Sequence, residues 1–420
     1  MRAEMEALAD FVEAHREELT DDARAYHERV KRSDAVYHGE IVKHAYGAFY
    51  YDEDDKRAFE EAGRMLFRLG RAFYKRLEDP TLRKAYGIGA FEWTCMQKRP
   101  VDDCLAPMAR IDLFYESPQS YKVCEINTDG SSAMLEDAAL ARAFMKTRAY
   151  DEMGGTNTDL VASWAKKLAD FATAHGAERI AVTDYLESGN PVEFTRIAEA
   201  LGRHGKEVEI LDTGDFTRKD GKLMGEGGPV DLVYRRLVTG EMLRNPDRAK
   251  ALVESYLADE VILVGGFHSQ TMHTKCFLAD LHEYRDAYPA DTHAWIDAHI
   301  PETVLVRSEN RDALTARREE WVVKPVDDYG GEGVVFGRKL DDEAFRKRLT
   351  DGMVAQTEVH APTVPVWTYE EDWKKKDMHV MPGLFFYFEH FTGVYTRADE
   401  VALIAREAYT LPHFYRRRKA

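Results

Sequence analysis

The chain has 420 residues, 44% of them hydrophobic and 32% charged, with a formal net charge of −17. That length exceeds one small core and predicts two or three folded units. The acidity argues against a nucleic-acid binder, which needs a basic face. No run approaches the roughly 18 apolar residues of a membrane span. The opening Met-Arg-Ala-Glu-Met-Glu-Ala-Leu-Ala-Asp places acids where a signal peptide needs an apolar stretch. Cys95, Cys104, Cys124 and Cys276 are scattered without CxxC spacing, as expected of reduced thiols. A soluble, cytoplasmic protein is the reading, and Arg416-Arg417-Arg418-Lys419 reads as a solvated tail.

In chain order, residues 1–90 read as helical. Phe59, Ala62, Leu66, Leu69, Phe73 and Leu77 recur at steps of three and four, and Asp79-Pro80 ends that helix. From Ala109 the period becomes two. Ile111, Leu113 and Tyr115 precede Ser117-Pro118-Gln119-Ser120 and a second β run, Val123–Asn127, which predicts a hairpin. Ser131 or Ser132 is expected to cap a helix from Ala133 to about Lys146. A second helix spans Asp159 to His175. Strands at 179–184, 208–211, 231–236 and 261–264, with a helix at 191–204, form a Rossmann-like unit without GxGxxG. A compact α+β unit follows: strand Trp321–Lys324, a glycine turn, strand 334–337, helix 341–349 and strand 354–359. Residues 362–383 show no readable pattern.

Two segments carry chemistry. Asp112, Glu125 and Asn127 offer three oxygens on paired strands. Glu125 and Asn127, two apart, share one face. Such a set suits magnesium, which keeps waters and takes phosphate oxygens. Lys324-Pro325 precedes glycines at 330, 331 and 333, a loop able to aim N–H groups at polyphosphate. It is not a Walker A motif, because GK[ST] is missing. Asp327 and Asp328 lie within reach of the metal, with Asp328 the better placed. Arg235-Arg236 ends an apolar strand, so one of the two faces the interior or a cleft. His268 and His273 have no zinc spacing and read as core or surface residues.

Arg-x-Asp, Glu-x-Asn-Thr and Lys-Pro with a glycine loop, in this order, resemble the glutathionylspermidine synthetase family. They are also similar to eukaryotic glutathione synthetases and other ATP-grasp ligases of permuted order. The resemblance runs from about Ala109 to Arg397. It implies an α/β protein, with ATP gripped between two α+β units and a Rossmann-like pre-ATP-grasp unit. The expected division is a helical N-terminal region at 1–90 and a first ATP-grasp part with the metal strands at 91–177. The Rossmann-like unit follows at 178–310, a glycine-loop lid at 311–362, and the C-terminal ATP-grasp part at 363–420.

The resemblance further implies an ATP-dependent carbon–nitrogen ligase using ATP and Mg2+ to join a small-molecule carboxylate to an amine. By motif, Asp112, Glu125 and Asn127 match the metal ligands, with Asp328 beside them. Arg110, Lys324 and Arg397 match catalytic cations. Lys275, Lys324, Gly330, Gly331, Gly333 and the run Gln356, Thr357, Glu358 and Val359 match the ATP contacts. Arg235, Arg236, Ser131 and Ser132 are expected near substrate. No nucleic acid or membrane partner is expected. The bifunctional relatives carry a cysteine amidase domain in front, and no cysteine precedes Cys95, so amidase activity is not expected. Two alternatives stay open: a non-catalytic ATP-binding regulator on the same fold, and a ligase with a hydroxyl or thiol nucleophile.

Overall fold

The computed structural model describes residues 1–37, 39–327, 333–360, 362–402, 404 and 407–416. Its centre is an antiparallel sheet built on the hairpin Met108–Ser117 and Ser120–Asn127. Beside the first hairpin strand lies the long strand Trp373–Tyr387, then His390–Asp399, then Tyr409–Leu411. Thr363–Tyr369 pairs with the outer half of the long strand. The unreadable stretch of sequence is therefore strand. Its outer half is largely exposed and its inner half buried at every position, so neither half alternates.

The N-terminal region is mainly helical, with helices Arg2–Lys31 and Glu53–Arg76, but it is not purely so. Phe49–Tyr51 is a strand that pairs in parallel with His413–Tyr415, tying the two ends of the chain together. Asp52 and Asp55 form a capping box at the start of the second helix. Asp79 caps a further short helix, Pro80–Ala85. The second helix lies so close to the central sheet that a Cβ on Gly63 would sit 2.0 Å from the Phe386 ring. Gly63→Ala is therefore expected to destabilise the protein. Overpacking costs about 1–3 kcal/mol, against a helix-propensity gain of about 1 kcal/mol. Urea unfolding should show a lower midpoint at unchanged slope. A raised midpoint would refute this packing.

The Rossmann-like unit is a four-stranded parallel sheet. Its order is Ile262–Val264, Leu232–Arg235, Arg179–Asp184, Glu207–Asp212. The helices Leu160–Ala174 and Pro191–Arg203 pack beside it. The chain moves from 179–184 to one neighbour and then returns to the other. That reversal is a topological switch point, and ligands of open α/β sheets bind at the carboxyl ends of such strands. Asp184 and the Arg235-Arg236 pair stand at those ends.

The last unit is an antiparallel sheet of Thr303–Leu305, Met353–Thr357, Trp321–Pro325 and Val335–Phe336, backed by the helix Asp342–Arg348. Period-two alternation sorts its faces. Trp321, Val323 and Ala355 enter a small core with Phe345 and Leu349. Val322, Lys324 and Gln356 face the other way.

Candidate ATP and substrate site

Register sets the first half of the site. Asp112 is directly opposite Glu125, and Arg110 opposite Asn127, so all four side chains leave one face of the hairpin. The Asn127 amide nitrogen lies 3.4 Å from an oxygen of each carboxylate. Asp112 is fully buried. Its carboxylate takes a two-pronged bond from Arg110, at 2.7 and 3.0 Å, and another from Arg397 at 2.9 Å. Arg397 comes from the neighbouring strand of the same sheet but one, 285 residues later.

The sheet that holds Trp321–Pro325 and Met353–Thr357 supplies the opposite wall. Lys324 is buried and donates to Gln356 Oε1 at 2.7 Å, with Cys124 Sγ at 4.0 Å. Gln356 in turn donates to Thr303. Lys275, at the start of the helix Cys276–Glu283, is held by its backbone N–H on the Val326 carbonyl. Between the walls lies a cleft of about 880 Å³, open mouth included. Arg110, Glu125, Lys275, Lys324 and Arg397 line its charged end. Gln356, Thr357, Glu358 and Val359 line it together with Phe336 and Ile404.

Electrostatics give the cleft its character. Burial alone would raise the Glu125 carboxyl. Lys275, Lys324, Arg397 and Arg110 outweigh it and hold the pKa at about 2. Burial pulls Lys275 down, opposed by Glu125, and pushes the Cys124 thiol up to about 11, so that thiol is inert at neutral pH. Four cations around two carboxylates leave positive charge in excess, which suits a polyphosphate.

The donor set also fits a hard cation. Two carboxylates and one amide converge, and Asn127 needs only an amide turn to present its oxygen. Among the described residues no three His, Cys, Asp or Glu side chains group as a metal site. Asp328, Gly330 and Gly331 lie outside the described residues. Gly333 is described, with φ +68°, and a Cβ there would sit 2.8 Å from Pro325, so the turn requires glycine. Asp327 accepts from Gln270 at 3.1 Å.

The turn after the hairpin is clamped by the Rossmann-like unit. Arg235 bonds Asp129 and the carbonyls of Gly265 and Leu237, and Asp129 also accepts the Thr239 N–H. Arg235 is thus consumed as a clamp. Arg236 bonds the Ser131 carbonyl and, at 2.9 Å, Glu193. Gly130 has φ +64°, and a Cβ there would meet the Arg236 carbonyl at 2.5 Å. Neither serine caps the helix Met134–Phe144. Ser131 Oγ bonds the Asn127 carbonyl, and the helix N–H groups at Ala133, Met134 and Leu135 converge on Glu193 Oε2. A carboxylate from another unit performs the capping, which local sequence cannot reveal.

A second cavity, about 1,490 Å³ with its mouth, opens on the other side of Arg110 and Arg397, which line both cavities. Ser131, Ser132 and Arg236 border it; Arg235 borders neither. Glu136, Asp184 and Glu241 also line it. Sequence reading missed these acids. Asp184 is signalled by the switch-point rule, once the strand order is known. His268 and His273 are buried, as core residues.

A family profile described as glutathionylspermidine synthase preATP-grasp matches residues 16–416. The chain belongs to that family. No curated protein sequence matches it. Among solved structures, it is similar to a glutathione synthetase-like effector, GSS30, from Globodera pallida, in apo form. The TM-score is 0.60 at 10% identity, covering 95% of this chain and 97% of that one. That likeness shows the fold alone. The ATP-grasp ligase PsnB, solved with a minimal precursor, Mg and ADP, matches at TM-score 0.32 and 13% identity, over 56% of this chain and 88% of its own. In this chain Arg110 and Glu125 on the hairpin and Lys324 on the strand Trp321–Pro325 line one cleft. Among the described residues no helix is long and apolar enough to cross a membrane.

Proposed function

We propose that the chain is a Mg-ATP-dependent carboxylate–amine ligase that forms an amide through an acylphosphate, with ATP-grasp parts in permuted order. The observation that carries this reading is the sharing of Arg110 and Arg397 between the cation-lined cleft and the second cavity. A phosphoryl group in one can meet a carboxylate in the other at those guanidinium groups. Residues 91–177 and 363–420 then form one wall, 311–362 the lid, 178–310 the substrate side and 1–90 a scaffold.

In this reading Lys324 and Lys275 bind the phosphates, and the segment Gln356–Val359 borders adenine. Asp112, Glu125 and Asn127, with Asp328, would hold magnesium, which would supply neutralisation of phosphate charge. Arg110 and Arg397 offset charge that grows on the transferring phosphoryl group. The substrate carboxylate attacks the γ-phosphorus in line, and ADP leaves. The amine then displaces phosphate from the acyl carbon. Holding both substrates across one pair of arginines supplies much of the remaining rate. A cytoplasmic location fits four buried, unpaired thiols.

The test is ADP release by the full chain with Mg-ATP and pairs of acids and amines, glutathione with a polyamine among the first. Release that needs both partners supports the ligase. ATP binding without release for any pair supports the regulator. Release that needs a hydroxyl or thiol in place of the amine supports the remaining alternative.

A further inference from the structure

We propose that Glu136 receives the ammonium group of the amine substrate in the second cavity and accepts its proton before attack; this rests on the ligase reading above. The cations bordering that cavity are engaged elsewhere. Arg110 and Arg397 are bonded to Asp112, and Arg236 to Glu193. Glu193 is itself satisfied: one oxygen takes Arg236 and the other takes the N–H groups that open the helix Met134–Phe144. Glu136 sits on the first turn of that helix, where an acid ordinarily profits from those N–H groups. Here Glu193 holds those of Ala133, Met134 and Leu135, and Glu136 keeps only its own N–H. Glu136 is 1% exposed and lines the cavity, and its Oε2 has no partner among the described residues. A buried acceptor left without a donor is costly unless a ligand supplies one.

The charged and titratable groups that act on Glu136 are Glu193, Arg110, Arg236 and Tyr395. Burial first, then the Glu193 charge, push the Glu136 carboxyl up to about 8, against the pull of its own backbone N–H and then of Arg110 and Arg236. In the empty cavity at neutral pH it is mostly a neutral acid. An arriving ammonium stabilises the carboxylate, so binding expels that proton to solvent. The carboxylate then takes one proton from R–NH3+, leaving R–NH2 and a neutral acid. The nitrogen lone pair forms the C–N bond as the C–O bond to phosphate breaks. Phosphate leaves with that electron pair and takes the second amine proton. Asp184, pushed up by burial to about 7, offers a second carboxyl in the same cavity for a further cationic centre.

The experiment is isothermal titration of the full-length protein with 1,4-diaminobutane in PIPES and in BES, at pH 6, 7 and 8. The two buffers differ in ionisation enthalpy, so the difference in heat counts protons. The expected result is binding that tightens up to about tenfold per pH unit below pH 8, with proton release at pH 7. E136Q keeps the side-chain volume and should lower the count by about one proton and the affinity at least tenfold. Acetate should not replace the diamine. Absence of diamine binding, or an equal proton count in E136Q, overturns the proposal. E136Q should bind a non-hydrolysable ATP analogue like the wild type, since Glu136 does not line the nucleotide cleft. Loss of analogue binding in the wild type would instead strike the ATP reading, and the diamine titration would still judge Glu136.

Discussion

Glu125→Gln is expected to lower ADP release by about 100- to 1,000-fold while the protein stays folded. Glutamine keeps the shape, so the core of the hairpin is undisturbed. It removes one of two carboxylates that face four cations. In the proposed ligase, magnesium would lose a charged ligand and the transferring phosphoryl group its organised surroundings. The same substitution changes acid stability with a definite sign. The folded pKa of Glu125, about 2, lies below its ordinary 4.5. Its stabilisation is full above the ordinary value and is lost as pH falls through the folded one. The wild type should therefore lose part of its stability between about pH 4.5 and 2, and the variant should lose less. Circular dichroism across that range checks the folding claim, and a coupled ADP assay checks the rate. Full activity in the variant would remove Glu125 from the metal site.

Lys324→Ala is expected to weaken binding of a non-hydrolysable ATP analogue by about 10- to 100-fold, or about 1.4–2.8 kcal/mol. The lysine is buried at the wall of the cleft, and its partner in the empty site is the neutral Gln356 oxygen at 2.7 Å. A phosphate is a better acceptor for an ammonium than an amide oxygen. The exchange therefore favours ligand in the ground state, so affinity falls along with turnover. Isothermal titration decides this. Unchanged affinity would make Lys324 a residue that merely braces Gln356.

The hairpin, the parallel strands and the sheet around Lys324 are legible in sequence because their signals are local. Alternation, turn residues and a lysine before a glycine turn all sit within a dozen residues. Asp112 and Glu125 could be placed on one face because a short turn sets their register. The rest depends on distant pairings. Nothing near Arg397 shows that its guanidinium will bond Asp112. The strand Trp373–Tyr387 is hidden because it passes from an exposed edge into a core buried on both faces. Phe49–Tyr51 is buried at every position and too short for a period. Glu193 cannot be recognised as the cap of a helix that starts some sixty residues earlier. Arg235 and Arg236 look equivalent in sequence, yet strand pleating sends one to Asp129 and the other, which lines the cavity, to Glu193.

The most direct test of the ligase account follows an oxygen atom. An acid that supports ADP release is labelled with oxygen-18 in its carboxylate, and the reaction is run with Mg-ATP and the amine. Mass spectrometry of the released phosphate then reports the route. The account predicts one labelled oxygen per phosphate, because the carboxylate attacks the γ-phosphorus and its oxygen leaves with phosphate when the amine enters. Unlabelled phosphate alongside amide product would contradict it.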